Sequence, residues 1–246
     1  MKIGGKNELG LQTLSKSGWL AEQPEDFCNW IRTAGRWVEF DRNQLIYDIG
    51  DGASGLYGIA TGSVDITFPV GDSEPVTVTR EGCGFWIGDL ALLARKNRLV
   101  SVRGATMTRA FVVPQAAVFE LLAERPEHWH SFYQLSYENF TTALRLLAEV
   151  LSLPVKVRLA RRLRALAADG STAPVTQHDL ARLLGITRSR LQRALTELTT
   201  QGLIETGYNI IRIRDGDALA AMCLASDDPH LASEDPYIAV SASKLR

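Results

Sequence analysis

The chain has few of the residues that build disulfides, metal centres or membrane spans. Its 246 residues include three cysteines, Cys28, Cys83 and Cys223, which lie far apart and are odd in number. We therefore expect free thiols in a reducing cytoplasm. No apolar run approaches the ~18 residues of a membrane span, and the first residues, M-K-I-G-G-K-N-E, lack the apolar segment of a secretory signal. These absences predict a cytoplasmic protein with no membrane partner.

Histidine is also scarce, with four in the chain. His128 and His130 are two positions apart, which places them on different faces of a helix, and we interpret them as surface or packing residues. The sequence shows no metal-ligand spacing, no pairing of a nucleophile with a base and no G-x-x-x-x-G-K phosphate loop. We therefore predict no metal site and no catalytic residue, and we do not expect an enzyme.

Charge, in contrast, is plentiful and unevenly distributed. The net charge is −1, but residues 154–214 hold eleven Lys and Arg against four Asp and Glu, a balance of +7. The remaining residues carry a balance of −8. The length allows one large or two ordinary domains. A basic module joined to an acidic one is typical of a polyanion-binding domain that another domain controls.

The acidic part contains a region of short strands. Between Trp37 and Val113, apolar and polar residues alternate in six runs: W-V-E-F, Q-L-I-Y-D-I, G-L-Y-G-I-A, S-V-D-I-T-F, P-V-T-V-T and R-A-F-V-V. Turns such as Gly50-Asp51-Gly52 separate them. Strands at ~8–12-residue spacing predict an all-β sandwich or roll. Pro114 then opens a predicted helix over Gln115–Ala123.

A long helix is predicted from Trp129 to Ser152. Its aromatic and leucine side chains recur at alternating intervals of four and three residues, which is a heptad pattern. We call this set the seam; it comprises Tyr133, Tyr137, Phe140, Leu144, Leu147 and Leu151. The seam favours pairing with the same helix of a second subunit, and hence a homodimer. Because it is shorter than three to four heptads, packing on the chain's own β-roll is the alternative.

The stretch from Val175 to Leu195 predicts two short helices joined by a tight turn. Gly185 stands where a helix ends in a left-handed residue, and Thr187 is a good N-cap for the second helix. Apolar residues at helical spacing give each helix an inner face. The other faces of the second helix carry Arg188, Ser189, Arg190, Gln192 and Arg193. Such a pair of helices can read a DNA major groove, and an ordinary helical hairpin with a solvated basic face is the alternative.

The segments around this helix pair favour DNA binding. Before it, a basic amphipathic helix is predicted over Val155–Ala168, after the break at Pro154. After it, Leu203-Ile204 and Ile210–Ile213 predict a hairpin with a glycine tip. A hairpin directly after a helix-turn-helix is the layout of a winged helix.

These motifs resemble the CRP/FNR superfamily of bacterial transcription regulators over nearly the whole chain. F-W-I-G-D-L-A-L-L at 85–93 resembles the opening of the family's phosphate-binding cassette, and R-G-A-T at 103–106 resembles the strand after it. V-T-Q-H-D-L-A-R-L-L-G-I-T-R-S-R-L-Q-R-A-L at 175–195 resembles the family's DNA-binding helices.

The resemblance implies an α+β fold with a double-stranded β-helix (jelly-roll) sensor domain at 1–128, a dimerisation helix at 129–153 and a winged helix-turn-helix at 154–225. The remaining residues, 226–246, are acidic and show no periodicity, so we expect a flexible tail, mobile or held only by contacts with another surface.

The resemblance also implies an effector site, formed by Gly88, Asp89, Leu90, Arg98, Leu99 and Thr142. In cyclic-nucleotide-binding members a glutamate accepts the ribose hydroxyl, and an arginine with a neighbouring hydroxyl residue holds the phosphate. Here Asp89 is one methylene shorter than glutamate, and Leu99 replaces the hydroxyl residue. The bulk of Trp86 is large enough to fill part of the pocket. Cyclic AMP is therefore not the favoured effector, and another small molecule or a partner contact stays open.

The ligand requirements of other sensory groups are not met. An iron–sulfur cluster needs about four cysteines, and the chain has three. Haem needs an axial ligand, and residues 37–113 contain no histidine. We expect neither group. Cys83 is either a redox thiol or, as is more common beside glycines, a buried structural cysteine.

The family's DNA-contacting residues match this sequence more completely. Arg188 and Arg193 match two arginines that bind guanine O6 and N7, whereas Ser189 stands where a glutamate often reads cytosine. The residues placed for phosphate contacts are Thr176, His178, Thr187 and Arg190. The resemblance implies a homodimeric transcription regulator on double-stranded DNA, with RNA polymerase as a protein partner. The alternative is a ligand-binding module that acts through protein contacts and carries a degenerate DNA-binding domain.

Overall fold

The computed structural model describes residues 10–71, 75–167 and 170–224. The chain divides into two compact units, Met1–Thr142 and Ala143–Arg246, and the division falls within the predicted long helix. The tail predicted over residues 226–246 lies outside the described residues. Within those three ranges, no helix is both long enough and apolar enough to cross a membrane.

Eight strands form the centre of the first unit. They are β1 Arg36–Phe40, β2 Leu45–Tyr47, β3 Gly55–Thr61, β4 Val64–Phe68, β5 Val76–Glu81, β6 Trp86–Ile87, β7 Ser101–Gly104 and β8 Thr108–Pro114. They pair antiparallel in two four-stranded sheets, with strand orders β1-β8-β3-β6 and β2-β7-β4-β5. The predicted jelly roll is confirmed. The strands β6 and β7 fall outside the six predicted runs; β6 has two residues, too few to show alternation, and β7 overlaps R-G-A-T at 103–106, which the family resemblance assigns to a strand.

Alternation along β8 shows why the first unit has two apolar cores. Ala110 and Val112 face the second sheet and belong to the core between the sheets. Phe111 and Val113 face the other way, into a core that helices cover. Because side chains alternate along a strand, β8 is buried on both faces: one face packs against the second sheet and the other against helices.

Three helices of the unit have these bounds: α1 Glu25–Ala34, α2 Asp89–Leu93 and α3 Gln115–Glu124. The helix α4, Trp129–Ser152, begins in the first unit and continues into the second. Residues 10–14 are also helical. The predicted bounds of α4 are confirmed at both ends. The helix-covered core is rich in aromatic rings, and Trp19 lies 5.6 Å from Phe27 and 5.4 Å from Trp86 between ring centroids. His128 is buried against the Phe27 ring, which makes it a packing residue.

Trp86 therefore lies on the helix-covered side of the first sheet and not between the sheets. Its ring rests on Gly58, where an added Cβ would be only 2.6 Å from the ring atoms. The neighbouring Ile87 belongs to the core between the sheets. The bulk of Trp86 does not fill a pocket inside the roll, because alternation along β6 turns it outward.

The second unit contains four further helices and a small sheet within the described residues. Their bounds are α5 Val155–Leu166, β9 Thr172–Ala173, α6 Gln177–Leu184, α7 Arg188–Thr200, β10 Ile204–Gly207, β11 Ile210–Ile213 and α8 Gly216–Leu224. The sheet order is β10-β11-β9. One apolar core joins these elements, with Leu159, Leu163, Leu180, Leu191 and Leu198 fully buried. This is the predicted winged helix-turn-helix.

Two predicted details of this unit are wrong. The helix α5 ends at Leu166 and not at Ala168, because the Ala167 backbone leaves the helical region and its carbonyl accepts the Gly170 N–H at 2.9 Å. The tip of the hairpin is not glycine. Gly207 lies in β10 opposite Ile210, and the turn contains Asn209 with φ 57°. Asparagine adopts this left-handed conformation more readily than most residues.

Candidate functional site

Two threonines and a glycine fix the ends of α6 and α7. The Thr176 hydroxyl oxygen accepts a hydrogen bond from the Asp179 N–H, 3.0 Å away, and caps α6. Gly185 ends α6 with φ 62°, which costs glycine no steric energy. Thr187 caps α7 through the Arg190 N–H. The predicted roles of Gly185 and Thr187 at helix ends are confirmed, and Thr176 is a further cap that was not predicted from the sequence.

Buried leucines set the rotation of α7 about its axis. Leu191, Leu195 and Leu198 are spaced by four and three residues, so they lie on one side of the helix, and all three are buried. They pack in one core with Leu180 and Leu184 of α6. The side of α7 that carries the arginines is therefore turned to solvent.

We call this exposed side the basic face; it comprises Arg188, Ser189, Arg190, Gln192 and Arg193. Within the part of the chain that the structure describes, no acidic side chain pairs with any of its three guanidinium groups. Gln192 lies four positions, about one turn, after Arg188, and Arg193 lies five positions after Arg188. The face therefore offers several uncommitted donors along about one and a half turns of helix.

Other basic side chains of this unit are engaged with protein groups. Lys156 Nζ lies 2.7 Å from Glu197 Oε1, and Arg161 Nη1 lies 3.0 Å from Glu149 Oε1. Arg158 Nη1 donates to the Leu184 carbonyl at 3.2 Å. These contacts hold helices together. The arginines on the basic face of α7 differ, because in the described residues they form no such contact with another helix.

The four residues predicted to contact phosphate surround the starts of α6 and α7. The oxygens of Thr176 and Thr187 already accept helix N–H groups, but each hydroxyl proton can still be donated to a phosphate oxygen. His178 and Arg190 are exposed. The partial positive charge at the N-terminus of each helix also favours an anion there.

A cleft of about 300 Å³ extends this basic surface beyond α7. Arg190 and Arg193 line it together with Lys156 at the start of α5 and with Glu197, which pairs with Lys156. The cations of this concave surface that hold no acidic partner in the described residues are therefore Arg190 and Arg193 of α7. Such a surface can follow a nucleic-acid backbone.

The cassette, residues 88–99, is built differently from what its resemblance implies. Gly88 has φ 107° and precedes α2. The Asp89 carboxylate, 2% exposed, accepts hydrogen bonds from Ser136 Oγ at 2.6 Å and from Asn139 Nδ2 at 2.9 Å. Burial raises the pKa of Asp89 above its usual value, and these hydrogen bonds oppose the shift. The carboxylate is thus turned towards α4.

Arg98 is also buried, with 2% of its surface exposed. Its Nη1 donates to the Gly88 carbonyl at 2.9 Å, and its Nη2 donates to the Gly55 carbonyl at 2.7 Å. Its guanidinium carbon lies 4.2 Å from the Tyr47 ring centroid and 5.8 Å from that of Tyr57. Carbonyl oxygens and ring faces therefore stabilise the charge. The Nε atom is buried without an acceptor in the described residues.

The structure brings together only some of the predicted effector residues. Gly88, Asp89 and Arg98 lie in one buried group, whereas Leu90 and Leu99 are 49% and 60% exposed. Thr142 makes no side-chain hydrogen bond to the cassette in the described part of the chain. The helix residues that do reach Asp89 are Ser136 and Asn139, which sequence reasoning missed. Their only signal is that they are polar and three positions apart on one helix.

The side chains of the seam are exposed along α4. Their exposed fractions range from 45% for Tyr137 to 78% for Leu151. By contrast, Phe132 and Leu135 on the same helix are 1% exposed. Within the first unit, the seam residues Tyr133, Tyr137 and Phe140 are therefore not packed on the chain's own β-roll, which was the alternative. The apolar seam lies in water in a single chain.

Cys83 was expected to be either a redox thiol or a buried structural cysteine. It is exposed, and its Sγ donates to the Ala60 carbonyl at 2.9 Å. Partial desolvation raises its pKa, which opposes formation of the reactive thiolate. Among the described residues, no group of three or more His, Cys, Asp or Glu side chains is arranged to hold a metal ion.

Two family models match the chain. Residues 37–125 match a cyclic nucleotide-binding domain, and residues 157–222 match a Crp-like helix-turn-helix domain. A CRP-like cAMP-activated global transcriptional regulator from Mycobacterium tuberculosis is 26% identical over 192 residues, which cover 74% of this chain and 86% of that protein.

Solved structures show the same fold. A CRP/FNR family transcriptional regulator from Thermus thermophilus has a TM-score of 0.65 at 21% identity and covers 78% of this chain and 100% of its own. The c-di-GMP responsive global regulator CLP of Xanthomonas campestris has a TM-score of 0.64 at 19% identity, with the same coverage of 78% and 100%.

Proposed function

Because the chain belongs to the CRP/FNR superfamily of transcription regulators, we propose that it binds a specific duplex DNA sequence as a homodimer, through α7 of each subunit. The match of residues 157–222 to a Crp-like helix-turn-helix domain favours this function over a ligand-binding module with a degenerate DNA-binding domain. The observation that carries the proposal is the basic face of α7, whose guanidinium groups are exposed and hold no acidic partner in the described residues.

Base recognition is assigned to Arg188 and Arg193. An exposed arginine presents two parallel N–H donors that match guanine O6 and N7 in the major groove. Ser189, between them on the helix surface, is short and tolerates either a donor or an acceptor on the base. Thr176, His178, Thr187 and Arg190 contact phosphates, which position α7 without specifying sequence.

Dimerisation is assigned to the seam of α4. Six large apolar side chains in water at heptad spacing match the geometry of a helix that pairs with a copy of itself. A dimer then presents two copies of α7 to two half-sites, about one turn of DNA apart. A regulator of this kind works in the cytoplasm, where RNA polymerase is its protein partner.

The first unit supplies the regulatory input in this proposal. The named relatives do not agree on an effector, since one is described as cAMP-activated and another as c-di-GMP responsive. Family membership therefore does not choose the effector of this chain. Whether this chain binds a cyclic nucleotide has to be judged from the geometry of its own cassette.

Selection of bound duplexes from a random pool tests the DNA-binding proposal. The full chain is expected to enrich a palindromic sequence with two half-sites, and the Arg188→Ala/Arg193→Ala double variant is expected not to. Arg164→Ala is the matched control, because Arg164 is an exposed arginine of the same unit that lies outside the basic face. Enrichment of the same sequence by the double variant would contradict the proposal.

A further inference from the structure

The two charged groups of the cassette are closed to solvent. Asp89 and Arg98 are each 2% exposed, although they lie where residues 37–125 match a cyclic nucleotide-binding domain. A cyclic nucleotide would need the Asp89 carboxylate to accept its ribose hydroxyl and the Arg98 guanidinium to donate to its phosphate. Neither group is presented at an open surface.

The Asp89 carboxylate is held by α4. Ser136 Oγ donates to Asp89 Oδ2 at 2.6 Å, and Asn139 Nδ2 donates to Asp89 Oδ1 at 2.9 Å. Asn139 Nδ2 also donates to the Trp86 carbonyl at 3.1 Å, so a single amide contacts both sides of Gly88. We call Asp89, Ser136 and Asn139 the clasp.

The guanidinium of Arg98 completes the closure from the other side. It bridges the carbonyls of Gly55 in β3 and Gly88 beside α2. The space at Gly88 is filled as well, since a Cβ there would lie 2.6 Å from Arg98 Nη1. Leu99, the next residue, is 60% exposed and has no hydroxyl with which to hold a phosphate.

We propose that the clasp takes the place of an effector: it holds the cassette against α4 through the protein's own side chains, and the chain binds DNA without a cyclic nucleotide. The second clause rests on the proposed DNA-binding function, whereas the first stands on the geometry of the first unit alone. Asp89 is 2% exposed, so a ribose hydroxyl can reach it only if the groups packed around it, Ser136 and Asn139 among them, move away. The residues present therefore do not fit a cyclic nucleotide.

Hydrogen exchange of the full chain, measured without DNA, tests the clasp directly. Ser136→Ala and Asn139→Ala each remove one donor to Asp89. We expect the backbone amides of residues 89–94 and 132–142 to lose at least tenfold in protection in each variant. Ser152→Ala is the matched control, because it removes a hydroxyl of the same helix, one that donates to the Ala148 carbonyl and not to Asp89.

Unchanged protection in both variants would overturn the clasp. Ser136→Ala removes only a hydroxyl, so it keeps the test valid if Asn139→Ala does not fold, which far-ultraviolet circular dichroism reveals. Protection lost equally in Ser152→Ala would show a general effect on α4 and would also overturn it.

Titration with cyclic AMP and cyclic GMP tests the second clause. Calorimetry of the full chain is expected to show no binding at up to 1 mM of either nucleotide, and either nucleotide is expected to change the Kd for the selected duplex by less than twofold. Micromolar binding, or a tenfold gain in DNA affinity with nucleotide, would overturn the proposal. If the chain binds no DNA at all, the proposed function fails, while the exchange and calorimetry results still decide on the clasp.

Discussion

Asp89 is a buried carboxylate whose hydrogen-bond donors, among the described residues, are all neutral. Ser136, Asn139 and nearby backbone N–H groups offset part of the cost of desolvation, and burial still keeps its pKa above the usual value near 3.8. Hydrogen bonds to a charged group contribute roughly 1.5–3 kcal/mol each. The residue is therefore costly when ionised but is held firmly in one orientation.

The raised pKa of Asp89 predicts a pH-dependent stability difference. Between its unfolded and folded pKa values, the folded chain keeps a proton that the unfolded chain has released, so the free energy of unfolding falls as pH rises. Asp89→Asn cannot titrate. The advantage of wild type over this variant should therefore shrink as pH rises above about 4, by at most ~1.4 kcal/mol per pH unit.

Urea unfolding followed by tryptophan fluorescence measures this difference. All five tryptophans lie within residues 19–129, so the signal reports on the first unit. Comparing both proteins from pH 4 to pH 7 cancels the ionisations that they share. A wild-type advantage that grows with pH would show that the folded pKa of Asp89 is lowered, contrary to this account.

Gly58 is a residue whose lack of a side chain is required by packing. A Cβ at this position would lie 2.6 Å from atoms of the Trp86 ring, which is itself buried. Gly58→Ala should lower the free energy of unfolding by about 1–3 kcal/mol, the usual cost of overpacking. The same fluorescence-detected urea titration measures it. Gly52→Ala is the control, since nothing lies within 4 Å of a Cβ there, and equal losses in the two variants would refute the packing argument.

At the scale of elements, the seam of α4 exposes six large apolar side chains, whereas a helix that faces only water carries mostly polar residues. Leu144 and Leu147 are 49% and 55% exposed, and each lies one or two turns from other seam residues. Pairing with a second copy would remove these side chains from water, at ~25 cal/mol per Å² of apolar surface. In the proposed homodimer, the seam is therefore the contact that we expect to hold the two subunits together.

Leu144→Arg should convert the dimer to a monomer at micromolar concentration, because it places a charge in the apolar contact. Light scattering coupled to size-exclusion chromatography measures the mass. Ala143→Arg adds the same charge at the adjacent exposed position, outside the seam, and should stay dimeric. If Leu144→Arg elutes as a dimer, or if both variants dissociate, the seam does not form the interface.

Elements with a repeated pattern could be predicted from sequence, and short ones could not. The helix α4 has 24 residues and carries the heptad-spaced seam from Tyr133 to Leu151, and residue type predicts the helix ends at Gly185 and Thr187. In contrast, β6 and β9 have two residues each. The sequence predicts a glycine at the hairpin tip, because glycine is the default residue for a left-handed backbone, but Asn209 has the positive φ in this turn.

Part of the candidate site could likewise be predicted from sequence, and part could not. The basic face of α7 follows from helical periodicity within one segment, so its residues could be named in advance. The clasp joins residues 47 and 50 positions apart in sequence. Nothing local marks Ser136 or Asn139 as partners of Asp89, because their meeting depends on how α4 packs on the roll.

At the scale of the whole molecule, a basic segment that contains the helix-turn-helix lies between two acidic ones, residues 1–153 and 215–246, each with a balance of −4. Residues 154–214 carry a balance of +7 in a chain of net charge −1. Binding of such a surface to DNA releases counterions, so affinity should fall steeply as salt rises.

Arg190→Ala should reduce this salt dependence. The slope of log K against log salt is negative, and the loss of one phosphate contact makes it less steep by about 1. The same loss weakens binding to all sequences alike. Fluorescence anisotropy at several salt concentrations gives the slope. Arg164→Ala should leave it unchanged, and an unchanged slope in Arg190→Ala would show that Arg190 does not contact phosphate.

The central claim is that α7 reads base sequence through Arg188 and Arg193. The most direct test is the affinity of single alanine variants for the selected duplex and for duplexes with one guanine replaced in each half-site. Each variant is expected to lose about 1–3 kcal/mol on the selected duplex and to lose discrimination at one guanine position, while Arg164→Ala keeps both. Wild-type affinity and wild-type discrimination in Arg188→Ala and Arg193→Ala would contradict the account.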